Sequence, residues 1–291
     1  MSVDRLQGKI RKMKCPVVLE FPLDKNLIPP HILLEESGWL KAYARYTIEL
    51  LEGLRDSVPA VRFHFSDFSV LGSDGILMLS SLMNIASKLG YYVLMDGPEA
   101  LSAGQAALHA DILMGDNAPW DFDGLILSQF IGTDAIKPYV AYLKNSNKGL
   151  FAVVRTGNKS GPELHDLMTG SRLVHMAQAD LVNRLAEPNL GKSGFCALGL
   201  MAAATNIDSL LNLRSKFRYL FILIDGFDSS NANAKNCAAA FNNLGHGAAI
   251  CVGASIFGAW KNEPHISDCI ECAKQSVERI KKNMGRYITV L

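Results

Sequence analysis

The chain has 291 residues, 49% apolar and 20% charged, which is enough for one large hydrophobic core and excludes a disordered or low-complexity protein. Twenty-nine Lys and Arg against 28 Asp and Glu leave a formal charge of +1, so no global field favours nucleic acid or an acidic lipid surface, and any anion site has to be local. The start, Met1 to Leu6, alternates charge with apolar residues where a signal peptide would be apolar, and no run approaches the roughly 18 apolar residues of a membrane span. The expectation is a soluble, cytoplasmic protein with no membrane or nucleic-acid partner.

From residue 16 onward strand and helix patterns alternate eight times, which predicts a (β/α)8 TIM barrel over about 16–260 in a single domain spanning 1–291, with extra N- and C-terminal helices, the latter at about 264–286. Short apolar runs at 17–21, 60–65, 92–96, 124–128, 150–154, 195–201, 219–224 and 248–252 are the strands. Helical spacing is clearest at 39–54, where Leu40, Tyr43, Ala44, Ile48, Leu50 and Leu51 recur with charged residues between them. Similar patterns predict helices at 75–89, 134–145, 206–216 and 233–243, and a longer one at 163–186 that enlarges the fifth unit.

The third strand matters most, because function in such barrels sits where strands end. It delivers Asp96 to that face and stops at Gly97-Pro98, so Pro98 and Leu101 put a ring without an N–H and an aliphatic chain where reactive groups are expected. Gly226 to Asn233 after the seventh strand and Gly253-Ala254-Ser255 after the eighth occupy the usual place of a phosphate cradle, or are ordinary turns. Thr156 to Ser160 after the fifth strand is small and polar, and suits a pocket lining or a helix cap. Phe63, Phe65, Phe68 and Met95 are candidates to plug the barrel mouth.

Other motifs point nowhere specific. Gly191-Lys192-Ser193 lacks the leading Gly of a phosphate loop, no GxSxG or GxGxxG occurs, and the seven histidines show no metal-ligand spacing, so no metal is expected. The six cysteines read as free thiols of a reducing compartment, with Cys269-Ile270-Glu271-Cys272 a lone CxxC on a charged, surface-lying helix.

The order of segments resembles the orotidine 5'-phosphate decarboxylase family, in its longer bacterial, clostridial-like form, over about residues 1 to 260. Asp4-Arg5-Leu6 to Ile10 with Pro16 and Pro29 is similar to that family's opening, and Val61-Arg62 with Gly72 and Gly75 to its second strand and turn. Gly132-Thr133-Asp134 with Lys137-Pro138, then Gly149 to Ser160, then Thr205, Arg214 and Phe227 follow in the family's order. The resemblance implies a decarboxylase without metal or organic cofactor. In this chemistry a carboxylate near the departing carboxylate raises the ground state, and an ammonium stabilises and then protonates the carbanion.

Carried across position by position, the family's D-x-K-x-x-D falls on Asp96, Pro98 and Leu101, its second-strand Lys on Arg62, and the Asp after its first strand on Pro22. Its phosphate-binding Gln and Arg fall on Ser230 and Ala254, the Pro before that loop on Asp225, and a Thr beyond the acids on Gln105; of the fifth-strand motif Thr156, Asn158 and Ser160 stand, with Gly157 and Lys159 replacing Ser and Pro. The resemblance therefore implies a degenerate site: Asp96 and Arg62 at family-equivalent catalytic positions, and Thr156, Asn158, Lys159, Ser160, Ser230 and Ala254 at the substrate-binding ones. The preferred expectation is a pseudoenzyme with a binding or assembly role, binding a nucleotide or other small anion weakly and forming a homodimer, or a heterodimer with a homologue. The alternatives are the inherited decarboxylase of pyrimidine (UMP) synthesis, an altered lyase or ligand-binding protein using Asp96, Arg62, Lys137, Arg155 or Lys159, and a purely structural barrel.

Overall fold

Eight parallel strands close into a barrel in a computed structural model that describes residues 1–144, 146–186, 190–263 and 268–289. In chain order they are β1 (Val17–Glu20), β2 (Ala60–His64), β3 (Tyr92–Asp96), β4 (Gly124–Ser128), β5 (Gly149–Arg155), β6 (Leu198–Ala203), β7 (Ile222–Asp225) and β8 (Ala248–Val252). Each pairs with its neighbours in sequence, and β1 closes the ring on β8 through Val17 opposite Ile250 and Leu19 opposite Val252.

Because strand side chains alternate between faces, each strand supplies two cores. Val18, Ala60, Tyr92, Leu94, Ile126, Phe151, Met201, Leu223, Ala249 and Cys251 fill the barrel interior, and Val3, Leu6 and Ile10 of the N-terminal helix Ser2–Met13 join that cluster, one stripe of the helix at i, i+3 and i+7. The Ser2 hydroxyl hydrogen-bonds Tyr92 at 2.6 Å and donates to the Asp123 carbonyl, which ties the helix to the start of β3 and β4. The odd-phase residues face the helix layer. There Phe21, Phe63 and Phe68 stack with Tyr43, Tyr46 and Phe257, and the two phenols donate to the carbonyls of Phe21 and Phe257 at 2.8 Å. This alternation corrects one expectation: Phe63, Phe68 and Met95 lie in the outer core and do not plug the mouth.

The predicted elements hold with four physical adjustments. β6 and β7 begin three residues later than predicted, because Cys196 bridges back to Leu190 and the buried Arg214 draws the carbonyls of Phe217, Arg218 and Leu220, with those of Ala240 and Gly247, onto its guanidinium. Gly247 makes room for this: its φ is +86°, and a Cβ there would lie 2.5 Å from the Phe195 ring. The long helix expected at 163–186 is broken by a two-stranded hairpin, Met168–Thr169 with Arg172–Leu173, turning at Gly170 with φ +63°, and resumes as Val174–Ala186.

The helix expected at 134–145 is a short 3-10 turn, Gly132–Ala135, followed by Lys137–Val140, since Pro138 lacks an N–H and is tolerated only in a first turn. The one at 233–243 stops at Ala238, and the Asn242 side chain instead accepts from the amides of Leu244 and His246. The C-terminal helix runs Cys269–Met284 behind an Asp268 cap, and the predicted start at 264–267 lies outside the described residues. Its Cys269 and Cys272 are 7% and 0% exposed, so this CxxC faces the core and not solvent. Among the described residues no helix is long and apolar enough to cross a membrane.

Replacing Phe257 with Ala empties the centre of the outer aromatic cluster and is expected to destabilise the protein by about 3–5 kcal/mol, read from urea unfolding midpoints.

Candidate functional site

At the C-terminal ends of the strands the interior phase changes from apolar to charged. Strand register puts Glu20 beside Arg62 and His64 beside Asp96. The Arg62 guanidinium, about 5% exposed, is a hub for three carboxylates. Its Nε and Nη2 donate to Oδ1 and Oδ2 of Asp96 at 2.7 and 2.6 Å, and its Nη1 donates to Glu20 and, at 3.0 Å, to Asp225 on β7 across the mouth. The His64 Nδ1 lies 3.1 Å from Asp96, and its Nε2 lies 3.9 Å from Glu20. One guanidinium and one imidazole therefore face three acids.

Burial by itself pushes a carboxyl up, but the Arg62 charge and the hydrogen bonds from His64 and Arg62 outweigh it at Asp96, which stays well below the usual carboxylate range. At Glu20 burial wins, helped by the charges of Asp225 and Asp96, and its carboxyl is raised despite Arg62. The same acids oppose the desolvation of Arg62 and His64 and raise both. Arg62 is thus a fixed cation that keeps its protons. Beside it a cavity of about 350 Å³ is bounded by Asp96, Pro98, Glu99, Ser66, Ser128 and Phe65. Among the described residues no group of three or more His, Cys, Asp or Glu is placed to hold a metal.

The other sequence-selected residues fall in separate places. Asn158, Lys159 and Ser230 come together with Arg155, Gly157 and Thr205 around a second cavity of about 520 Å³ between the loops after β5, β6 and β7. Thr156 and Ser160 belong to the same loop without lining that cavity, and the Ser160 carbonyl accepts from the amide of Glu163 at 3.0 Å. Ala254 opens the short helix Ala254–Phe257, and Leu101 is 71% exposed. Pro22 packs near Gly253, where an added Cβ would be 3.0 Å from its ring. At the expected phosphate cradle the amides of Gly253 and Ser255 are taken by the carboxylate of Asp228, at 2.8 and 3.3 Å. Gly191 to Ser193 is likewise closed internally, with the Ser193 amide donating to Asp4 at 2.7 Å.

Sequence reasoning missed Glu20 and the part played by His64. The signal was available, since Glu20 is in phase with the interior residue Val18, as His64 is with Ala60.

Two outcomes follow. Arg62→Met strands three acids in the mouth and is expected to cost about 3–5 kcal/mol of stability in urea unfolding. His64 has a folded pKa raised above its unfolded value, so its contribution is fully present below about pH 6.5 and is lost as the pH rises through the folded value. Against Arg62, Asp96 and Glu20, His64→Gln is expected to lower the unfolding midpoint more at pH 5.5 than at pH 9.

No family model matches this chain. Among curated proteins it is 28% identical over 226 residues to the orotidine 5'-phosphate decarboxylase of Rhodopirellula baltica, covering 76% of this chain and 75% of that one. It is 25% identical over 288 residues to that of Clostridium novyi, covering 98% and 99% of the two chains. Among solved structures the OMP decarboxylase of Leishmania donovani superposes with a TM-score of 0.73 at 20% identity, covering 98% of this chain and all of that one. The likeness to curated orotidine 5'-phosphate decarboxylases runs through nearly every element of the chain, and the barrel fold is shared end to end with the solved one.

Proposed function

We propose that this chain acts as one barrel domain that no longer decarboxylates orotidine 5'-phosphate, and that it serves in binding or assembly. The observation that carries this reading is the state of Arg62, the cation at the position where the resemblance puts a lysine: it is locked among Asp96, Glu20 and Asp225. A guanidinium so held cannot deliver a proton to a carbanion near neutral pH. Pro98, beside Asp96, has no proton to give, and the sequence contains no lysine between Lys88 and Lys137.

A phosphate dianion also meets a poor reception. Asp228 already accepts from the amides of Gly253 and Ser255, and Ser230 and Ala254 stand where the resemblance puts a Gln and an Arg. Losing two hydrogen bonds to a charged group costs about 3–6 kcal/mol, or roughly two to four decades of affinity. Six free, buried cysteines support a cytoplasmic setting. The curated relatives' shared name favours a second reading, an active decarboxylase of UMP synthesis, and Asp96 is the residue it would keep.

Loss of orotidine 5'-phosphate absorbance separates the two readings. The expected result is no turnover, whereas rates anywhere in the usual range of about 1–1000 per second select the active enzyme. Pro98→Lys alone is expected to restore nothing, because catalytic groups that act as a unit are not regained singly.

For assembly, the supporting feature is a run of exposed apolar side chains: Leu101, then Leu108 and Ile112 on the helix Ala103–Met114, with Phe130 also exposed. The partner is a second copy or a homologue. Light scattering at tens of micromolar is expected to give a dimer for the chain alone or with that homologue, and Leu108→Glu to weaken it; a monomer under both conditions overturns the assembly role.

A further inference from the structure

The expectation of no nucleic-acid partner rests on a whole-chain charge of +1, and that balance conceals a segregation which the fold makes spatial. From Arg5 to Leu19 the chain has five Lys and Arg and no acid, and from Arg279 to Thr289 four and no acid; the other 20 Lys and Arg stand against all 28 Asp and Glu. The barrel brings these two segments together at the N-terminal ends of its strands, the face opposite the mouth.

The N-terminal helix Ser2–Met13 lies across that face. Ser2 and Arg5 reach Asp123 before β4, Lys9 donates to the Gly90 carbonyl before β3 at 2.5 Å, and Gln7 accepts from the Gly247 amide before β8. With Val3, Leu6 and Ile10 committed to the interior core, Arg11, Lys12 and the following Lys14 are left exposed. Lys14 caps the helix at φ +50°, the one non-glycine at positive φ among the described residues, where Gly or Asn is usual. Burial, then the charge of Arg5, lowers the Lys9 ammonium, and Lys12 adds to this against Asp123, so like charges crowd along the helix. The acids that meet this helix are engaged, Asp123 by Arg5 and Asp4 by the amide of Ser193.

The end of the C-terminal helix Cys269–Met284 completes the face, with a cleft on each side of it. One, of about 260 Å³, is lined by Lys14 and Pro16 together with Lys281 and Met284. The other, of about 450 Å³, is lined by Asn283, Arg286 and Tyr287 together with Phe227, Asn233 and Lys235. No carboxylate lines either cleft. Lys281 pairs with Glu278 and Arg279 with Glu263, whereas Lys12, Lys14, Lys235, Lys282 and Arg286 make no ion pair among the described residues. Tyr287 is 52% exposed.

A row of unpaired cations leading into a cleft with an open phenol ring and two carboxamides has the features that hold an unpaired phosphodiester chain: phosphates follow the cations, a base stacks on the ring, and amides meet its edge. A lipid surface fits less well, because the apolar stripe of the N-terminal helix is buried in the barrel and cannot enter a bilayer. An acidic peptide would use the cations and leave the ring idle. We propose that this basal face binds single-stranded nucleic acid, with phosphates along Lys12, Lys14, Lys282 and Arg286 and a base on Tyr287. The site lies at the other end of the barrel from the mouth and goes beyond the role proposed above.

Fluorescence anisotropy of the full chain with labelled single strands of about 20 nucleotides, RNA and DNA, tests it. At about 50 mM salt at least one is expected to bind with Kd below about 10 µM, and log Kd to rise by about 3–4 per tenfold increase in salt, as for about five phosphate contacts. Lys12→Glu combined with Lys14→Glu is expected to weaken binding at least about tenfold and flatten the salt dependence. Tyr287→Ala is expected to weaken it about fivefold or more with the salt slope unchanged. If the Lys14 change unsettles the helix cap, Lys282→Glu combined with Arg286→Glu decides in its place. Kd above about 10 µM for both strands, affinity undiminished by the charge reversals, or equally tight binding of polyglutamate or phosphatidylserine vesicles would overturn it. Orotidine 5'-phosphate takes no part in these titrations, so its turnover would overturn the proposed function and leave this face to be judged separately.

Discussion

The Arg62 guanidinium is the constraint on which the C-terminal face of this barrel depends. Three carboxylates from β1, β3 and β7 converge within the barrel wall, and such a group of acids is tolerated in low dielectric only around a cation that cannot lose its charge. Arginine meets the requirement with a fork that serves Asp96 side-on and two further acids through one nitrogen. A lysine in its place would be a single point charge that shifts readily when buried. The ring is therefore a structural solution as well as a chemical statement: its cation is spent on internal acids.

The neighbouring loops follow the same pattern of internal satisfaction. Asp228 takes the amides of Gly253 and Ser255, Asp4 takes the amide of Ser193, and Arg214 takes five carbonyls at the other end of the barrel. Arg155 is held in a similar way, with two of its nitrogens on Asp166 and the third in a 3.5 Å contact with the Thr156 carbonyl.

The scaffold of this molecule and the side chains at its mouth are built from different residues. The barrel closes, its N-terminal helix enters the interior core, and its aromatic outer core packs from residues that make no reference to a substrate. The side chains that would define a reaction occupy a few strand ends, which can change without disturbing those cores. A shared fold consequently limits where a site lies and says little about what it does.

Much of the architecture was legible in the sequence, because a strand buried on both faces must be a short apolar run and eight such runs alternating with helical periods leave few topologies. Asp96, Arg62 and the fifth-strand loop were readable as site positions because barrel function gathers at strand ends. Other features are pairwise and long-range, and no local pattern encodes them. Which face Phe63 and Met95 take depends on registry with β1 and β3. Glu20 and Asp225 meet at one nitrogen of Arg62 only when the closed barrel brings the ends of β1 and β7 together at it. Asp228 reads as a loop acid until the β7 and β8 loops are brought together, and the contacts of His175 with Ser209 and Asp166 join residues from two helices and a loop. Local propensity and hydrophobic phase determined the barrel from the sequence alone; the tertiary structure decided which charges meet, because ion pairing depends on distances across the closed barrel that sequence spacing does not contain.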